Sequence, residues 1–463
     1  MPKTTLVSLL CVIFIGATIA ADANSWRSRS IYQVLTDRFA RTDGSQNACG
    51  DFHNYCGGTF VGIKNKLDYI ASMGFDAIWI SPVVKNYDGG YHGYWATDLY
   101  QINEKFGTAQ ELKDLVNAAH AKGMYVMVDV VANHVGPVVM DFSKIHPFND
   151  ASHYHDRCQI TDWNNQQQVE YCRLADLPDL NQDNQYVKQT LLDWIKNLVK
   201  EYGFDGIRID TVPEVHPTFW VDFAKAAGVY QVGEVFNGNP SYVGNYQNYL
   251  DGVLNYPLYY QIKNQFGGRS SMYNFRGYYQ SMDSNFKNQD LLGNFVDNHD
   301  NARYLNQYSD RRNFKAALAF ALSVRGIPMT YYGSEQFFNG GGDPYNREPL
   351  WTTGFGKTEL VDFLKVINEA RKSSKWYSQS QIERYVDDSF YAFSRGTTFF
   401  AFTNQPDQQQ TRTITYHPYS EGQMICNIFN PTQDCVRIQN KQFTVTLKNG
   451  EVKIYLPQNG FLE

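Results

Sequence analysis

Short apolar runs alternate with amphipathic helical segments from residue 31 to about residue 380 of this 463-residue chain. The runs at 31–35, 75–80, 125–130, 206–210, 230–234, 293–296 and 328–332 read as buried strands, with a weaker candidate at 252–254. Between them lie helical patterns. Thr108 can cap a helix whose Glu111 completes a capping box, with Leu112, Leu115, Val116 and Ala119 on one face and Gly123 as the stop. Val187, Leu191, Trp194, Ile195 and Leu198 repeat that spacing before Gly203. About eight strand–helix units in succession predict a closed parallel (β/α)8 TIM barrel, since parallel neighbours need a crossover helix.

The alternation breaks twice. Residues 134–182 are rich in His, Asn, Gln and Asp and carry no period, so they are expected to form a lobe inserted after the third strand. Beyond residue 380 the helices stop, and residues 390–404 can fold back around Arg395-Gly396. Residues 443–456 can do so around Asn449-Gly450, a strong hairpin signal. The expected division is therefore a barrel from 21–133 and 183–379, an inserted lobe at 134–182 and a C-terminal antiparallel β-sandwich domain at 380–463. Residues 1–20 read as a secretory signal peptide: Lys3 precedes an apolar run from 6 to 15 and the small residues at Ala20 and Ala21. That run is too short to cross a bilayer, so no membrane association is expected after cleavage.

With Cys11 in the signal, six cysteines remain, in three close pairs: Cys49 and Cys56, Cys158 and Cys172, Cys426 and Cys435. An oxidising compartment would turn an even number into three disulfides, though six cysteines allow about 15 pairings and spacing alone does not choose among them. No CxxC or matching His spacing supports zinc. The net charge is −6, and no long run of Lys and Arg occurs, which argues against a nucleic-acid partner.

Three carboxylates close predicted strands: Asp210, Glu234 and Asp300. The C-terminal ends of barrel strands face one pocket, so the three are expected to converge. Convergence raises at least one pKa and separates an acid from a base, as glycosidic cleavage requires. Arg208 precedes Asp210 by two residues and points the same way, a cation placed to hold it ionised. His134 and His299 follow strand ends beside Asn133 and Asn298, and suit recognition of hydroxyls. Asn133, Glu170 and Asp179 offer hard oxygen ligands, which favours calcium over zinc, although from sequence alone each reads more readily as a solvated polar residue.

These residues sit in recognisable motifs: Asp129-Val-Val-Ala-Asn-His134, Gly206-Ile-Arg-Ile-Asp210, Gly233-Glu-Val235, Phe295-Val-Asp-Asn-His-Asp300, Leu177-Pro-Asp-Leu180, Tyr91-His-Gly-Tyr-Trp95 and Gly326-Ile-Pro-Met-Thr-Tyr-Tyr-Gly333. Seven motifs in order make the chain resemble an α-amylase of glycoside hydrolase family 13, most similar to the secreted fungal-type enzymes. The likeness begins at Ser25 and fades in the C-terminal β domain. It implies that Asp210 is the nucleophile, Glu234 the general acid/base and Asp300 the transition-state stabiliser. Tyr94, Trp95, His134, Arg208, His299, Asp343 and Arg347 would contact substrate, with Tyr94 stacking on the sugar and the last two gripping its non-reducing side. Asp129 would support Arg208 from below. The implied structural calcium would bind the side chains of Asn133, Glu170 and Asp179 and the backbone carbonyl of Glu214. The pairs 49/56 and 158/172 match fungal-type disulfides.

The implied activity is endo-hydrolysis of α-1,4-glucan in starch or glycogen by a retaining mechanism. An α-glucosidase or glucanotransferase of the same family is the alternative, and an inactive glucan-binding relative the third. A monomer is expected, released outside the cell or into a digestive vacuole. One departure stands out. Where fungal-type enzymes carry Lys-His three and four residues after the nucleophile, this chain has Pro213 and Glu214, which puts the leaving-group-side subsites and any transglycosylation in question.

Overall fold

A computed structural model describes residues 21–461; the signal peptide expected at 1–20 lies outside them. Eight parallel strands form the central sheet: β1 (Ile31–Val34), β2 (Ala77–Ile80), β3 (Tyr125–Val130), β4 (Gly206–Ile209), β5 (Tyr230–Gly233), β6 (Gly252–Val253), β7 (Gly293–Asn294) and β8 (Ile327–Tyr331). Their order is β6-β5-β4-β3-β2-β1-β8-β7. A parallel bridge between Leu254 and Gly293 joins the two ends, with the Asn255 N–H donating to Gly293 O at 2.8 Å. The barrel is thus closed. β7 is shorter than its apolar run, because Phe295 and Val296 leave the ladder to carry the chain toward Asp300.

Alternate residues of these strands fill the barrel. Ile31, Ala77, Trp79, Met127, Tyr230, Val232, Ile327 and Met329 form one buried cluster inside it. Trp26 closes this cluster, fully buried, with its indole N–H donating to Asp205 O at 2.9 Å and its ring 5.5 Å from Tyr230. Gly293 packs closely on the cluster: a Cβ there would sit 2.5 Å from Met329 Cε and would push that side chain aside. The outward-facing strand residues pack against the helices in the main core.

Helix Ala109–Ala121 has the expected capping box: Thr108 Oγ1 accepts from Glu111 N–H, and the Glu111 carboxylate accepts from Thr108 N–H. Helix Gln185–Tyr202 ends on left-handed Gly203. The segment after β3 is an irregular lobe of short 3-10 turns and one short helix, Gln166–Tyr171. It leaves and returns at one stem, where His134 bridges Asp179 and Leu180 N–H donates to Asn133 O at 2.8 Å.

The C-terminal strands are β9 (Gln381–Val386), β10 (Phe390–Arg395), β11 (Thr398–Thr403), β12 (Gln410–Ile414), β13 (Met424–Asn427), β14 (Cys435–Arg437), β15 (Phe443–Leu447) and β16 (Lys453–Pro457). They form a six-stranded antiparallel sheet, β9-β10-β11-β16-β13-β14, and a two-stranded one, β12-β15. Both faces of β10 and β11 are buried. Phe390, Ala392, Phe399 and Ala401 face the two-stranded sheet, while Tyr391, Phe393, Phe400 and Phe402 pack on the barrel's core. The Arg395-Gly396 hairpin forms as expected. The hairpin expected around Asn449-Gly450 does not. The turn is present, closed by Glu451 N–H donating to Lys448 O at 2.9 Å, but it joins strands of different sheets. β15 carries Phe443, Val445 and Leu447 across the sandwich to pair with β12, where burial outweighs local pairing.

All three neighbouring cysteine pairs are bonded: Cys49–Cys56, Cys158–Cys172 and Cys426–Cys435. Among the described residues no helix is long and apolar enough to cross a membrane.

Candidate active site

Arg208, on β4, organises the C-terminal mouth of the barrel. It is fully buried, and its guanidinium meets three carboxylates. Nη1 donates to Asp210 Oδ1 at 2.7 Å and to Asp129 Oδ1 at 2.9 Å, while Nη2 forms an ion pair with Glu234 Oε2 at 3.0 Å. A buried guanidinium is tolerable only when so paired, and its planar fork fixes the carboxylates as neighbours. The Thr211 N–H donates to the same Glu234 oxygen at 3.1 Å. Thr211 takes a left-handed conformation (φ 49°), a local cost that swings the chain away from β4 directly after Asp210.

Burial drives the Glu234 carboxyl well above the ordinary carboxylate range; Arg208 opposes the shift, and Asp210 and Asp300 add to it. That direction suits a carboxyl that has to bring a proton to a reaction. Asp129, deeper, is pushed up to about 7 by burial, against the pull of Arg208.

His299 ties Asp300's loop to β1. Gln33 Nε2 donates to His299 Nδ1 at 2.8 Å, which leaves the ring proton on Nε2, 2.7 Å from the Tyr94 hydroxyl. Tyr94 in turn donates to Asp129 Oδ2 at 2.8 Å. Burial lowers His299 well below the usual histidine value, with Arg208 and Arg347 adding to the shift, so the ring is neutral as this relay demands. His134, also kept neutral by burial, donates from Nε2 to Tyr94 O at 3.1 Å. On the other side Arg347 pairs with Asp343 at 2.9 Å, donates to Tyr91 and His299 O, and lies 3.9 Å from Asp300. Trp95 is half-buried, edge-on to His92 at 4.6 Å.

A cleft of about 500 Å³ lies over Glu234 and Asp300, walled by Trp163, Phe236, Glu214 and Tyr242. Several of these groups carry no motif signal. Gln33 is betrayed only by being polar in an otherwise apolar strand run. Trp163 sits in the lobe that lacks any period, and Thr211 matters through its backbone.

The oxygen ligands expected for calcium converge in part. The outer atom of the Asn133 amide lies 2.9 Å from Asp179 Oδ1 and 3.0 Å from Glu214 O. With the amide oxygen there, three oxygens face one another with no proton between them, a donor set suited to a hard cation; inverted, the amide donates to both. Glu170 stands on the adjoining helix Gln166–Tyr171, where its carboxylate accepts from Gln166 at 2.9 Å. Among the described residues no three His, Cys, Asp or Glu side chains form a metal cluster, and the set here depends on an amide and a carbonyl. Asp179 is pushed up to about 6 by burial, opposed by His155 at 2.6 Å.

Residues 33–393 match the family model "Alpha amylase, catalytic domain". An α-amylase of Saccharomycopsis fibuligera is 41% identical over 94% of this chain and 92% of its own length. Alpha-amylase 2 of Schwanniomyces occidentalis is also 41% identical, over 95% and 92%. The solved α-amylase of Malbranchea cinnamomea superposes with a TM-score of 0.92 at 38% identity, covering 95% of this chain and 98% of that one. That of Geobacillus thermoleovorans, complexed with acarbose, gives 0.84 at 33%, covering 93% and 98%. A closed barrel with three acids about one arginine, matched along nearly its whole length by such relatives, belongs to the α-amylase family of glycoside hydrolases.

Proposed function

We propose that this chain is a secreted, endo-acting α-1,4-glucan hydrolase that cuts starch or glycogen by double displacement. The Asp210 carboxylate attacks the anomeric carbon while Glu234 protonates the departing glycosidic oxygen, leaving a glycosyl ester on Asp210. Glu234, now ionised, takes a proton from water, and that water displaces Asp210 to release product. Asp300 steadies the positive charge that develops on the ring. Tyr94, Trp95, His134, Arg208 and His299 hold the sugar at the reacting centre, with Asp343 and Arg347 on its non-reducing side. The observation that carries this reading is the single Arg208 fork, which sets the Asp210 and Glu234 carboxyls side by side at the mouth of the barrel.

The reading also assigns residues 134–182 to the inserted lobe and 380–463 to the C-terminal domain. α-Amylases commonly use calcium. Here Asn133, Glu170, Asp179 and the Glu214 carbonyl would hold it, joining the lobe stem to the turn after Asp210. Its contribution would be rigidity, with no part in the bond changes.

Incubation with long amylose tests the function. A rapid fall in polymer length with release of oligosaccharides is expected, and inhibition by acarbose, which the Geobacillus relative binds. Glucose released alone, with chain length preserved, would replace this reading with an α-glucosidase.

A further inference from the structure

We propose that Met140 is a site of reversible oxidation to the sulfoxide, and that the buried Arg173 guanidinium receives the new oxygen, so that the modification tightens the lobe after β3. Met140 is 54% exposed. Of the other methionines among the described residues, six are at most 3% exposed and Met424 is half-buried. The six described cysteines are all in disulfides, so no thiol competes for an oxidant. Oxidation of methionine follows access to its sulfur, which singles out Met140.

Arg173 is the group the new oxygen would meet. It is 2% exposed, and its Nη2 donates to Met140 Sδ at 3.3 Å, a weak acceptor for a full cation. Nε, on the same edge of the guanidinium fork as Nη2, has no hydrogen-bond partner among the described residues, and neither has Nη1. The Asp176 carboxylate is taken by Arg157, at 2.6 and 3.1 Å, and stands 3.7 Å from Arg173 Nη1. A buried cation short of acceptors is costly, and an added acceptor recovers that cost. The backbone fixes both partners. The Arg173 N–H donates to Cys158 O at 2.9 Å, beside the Cys158–Cys172 disulfide. Met140 stands in a turn closed by Asp141 N–H donating to Val138 O at 2.9 Å, with Val139 left-handed (φ 55°), a conformation that β-branched residues rarely take.

Hydrogen peroxide supplies the oxygen. A sulfur lone pair attacks one peroxide oxygen, and the S–O bond forms as the O–O bond breaks. Sulfur is oxidised by two electrons, while the second peroxide oxygen takes up the proton of the first and leaves as water. The sulfoxide oxygen is a far stronger acceptor than the thioether, and it is added to the atom that already faces the Nε–Nη2 edge, whose two N–H groups bind one acceptor together. Sulfoxidation ordinarily loosens a protein by placing a polar atom among apolar ones. At Met140 the polar atom meets a guanidinium that lacks acceptors. Leu174, next to Arg173, lines the cleft over Glu234 and Asp300, so the segment that gains the tie is also a wall of the candidate active site.

The test treats the mature protein with rising amounts of hydrogen peroxide and locates each added oxygen by peptide mapping in a mass spectrometer. The first oxygen should fall on Met140, at least about tenfold ahead of Met424. The singly oxidised protein should melt about 2 °C higher than the untreated one. Met140→Leu should lose both effects. Met140→Gln, which places an amide oxygen near the sulfoxide position, should melt about 2 °C higher than wild type with no oxidant at all. In Arg173→Gln, oxidation of Met140 should lower Tm instead; if that variant does not fold, Met140→Gln keeps the test. A first oxygen on another residue, a Tm that does not rise when Met140 is oxidised, a rise that survives in Arg173→Gln, or a Tm for Met140→Gln at or below that of wild type would each overturn the proposal.

Discussion

Arg208 sets the chemistry at the scale of single residues, because one buried guanidinium must satisfy Asp129, Asp210 and Glu234 together. Asp210→Asn keeps the shape of that contact and removes the proposed nucleophile, so kcat on amylose should fall by roughly 10⁴-fold with the fold intact by circular dichroism. Residual activity near wild type would place the nucleophile elsewhere. As the proposed acid Glu234 must be protonated to act, and burial raises its carboxyl well above the ordinary range. The alkaline limb of the kcat/KM profile should therefore lie well above pH 4.5, activity falling as Glu234 ionises. A profile already declining from pH 4.5 would remove Glu234 from the acid role. Asp210 and Glu234 could be found from sequence because each directly follows a strand run, whereas Asp300 lies six residues beyond the end of β7 and was legible through its motif. Gln33 and Thr211 could not: one acts by orienting a histidine, the other through an N–H that every residue but proline has.

Elements were readable wherever burial follows a period. All eight barrel strands and the Thr108 capping box stand where the pattern puts them, since each strand end or helix face had no alternative place to bury its apolar residues. The lobe was not readable in detail, because its short turns are held by a disulfide and by side-chain contacts rather than by a repeating face. Asn449-Gly450 has the sequence of a hairpin and makes its turn, yet β15 and β16 part company, since a turn fixes local direction and the sandwich core decides pairing. Trp26 tests the same priority of burial. It lies outside every predicted strand, but it fills the barrel's base. Trp26→Ala should cost about 3–5 kcal/mol in urea unfolding while leaving KM unchanged. A loss below about 1 kcal/mol would mean the base of the barrel closes without it.

Across the whole molecule, two of the joints between barrel, lobe and C-terminal sheets stand out. One is the doubly buried pair β10 and β11, which bury one face on the barrel and one on the sandwich. The other is the lobe stem, where Asn133, Asp179 and the Glu214 carbonyl meet beside the turn that follows Asp210. If calcium joins that stem, chelation should lower the apparent Tm and the activity together. Calcium at about 100 times its Kd should restore about 2.7 kcal/mol of stability, which magnesium, with its stricter octahedral demand, should not. Unchanged Tm in chelator would remove the metal from the account. The central claim concerns the reaction itself: one glycosyl ester on Asp210, formed and broken with two inversions at the anomeric carbon. Proton NMR of the first products released from maltoheptaose, recorded before mutarotation, tests it most directly. The account predicts new reducing ends in the α configuration; β products would mean a single displacement by water and would contradict it.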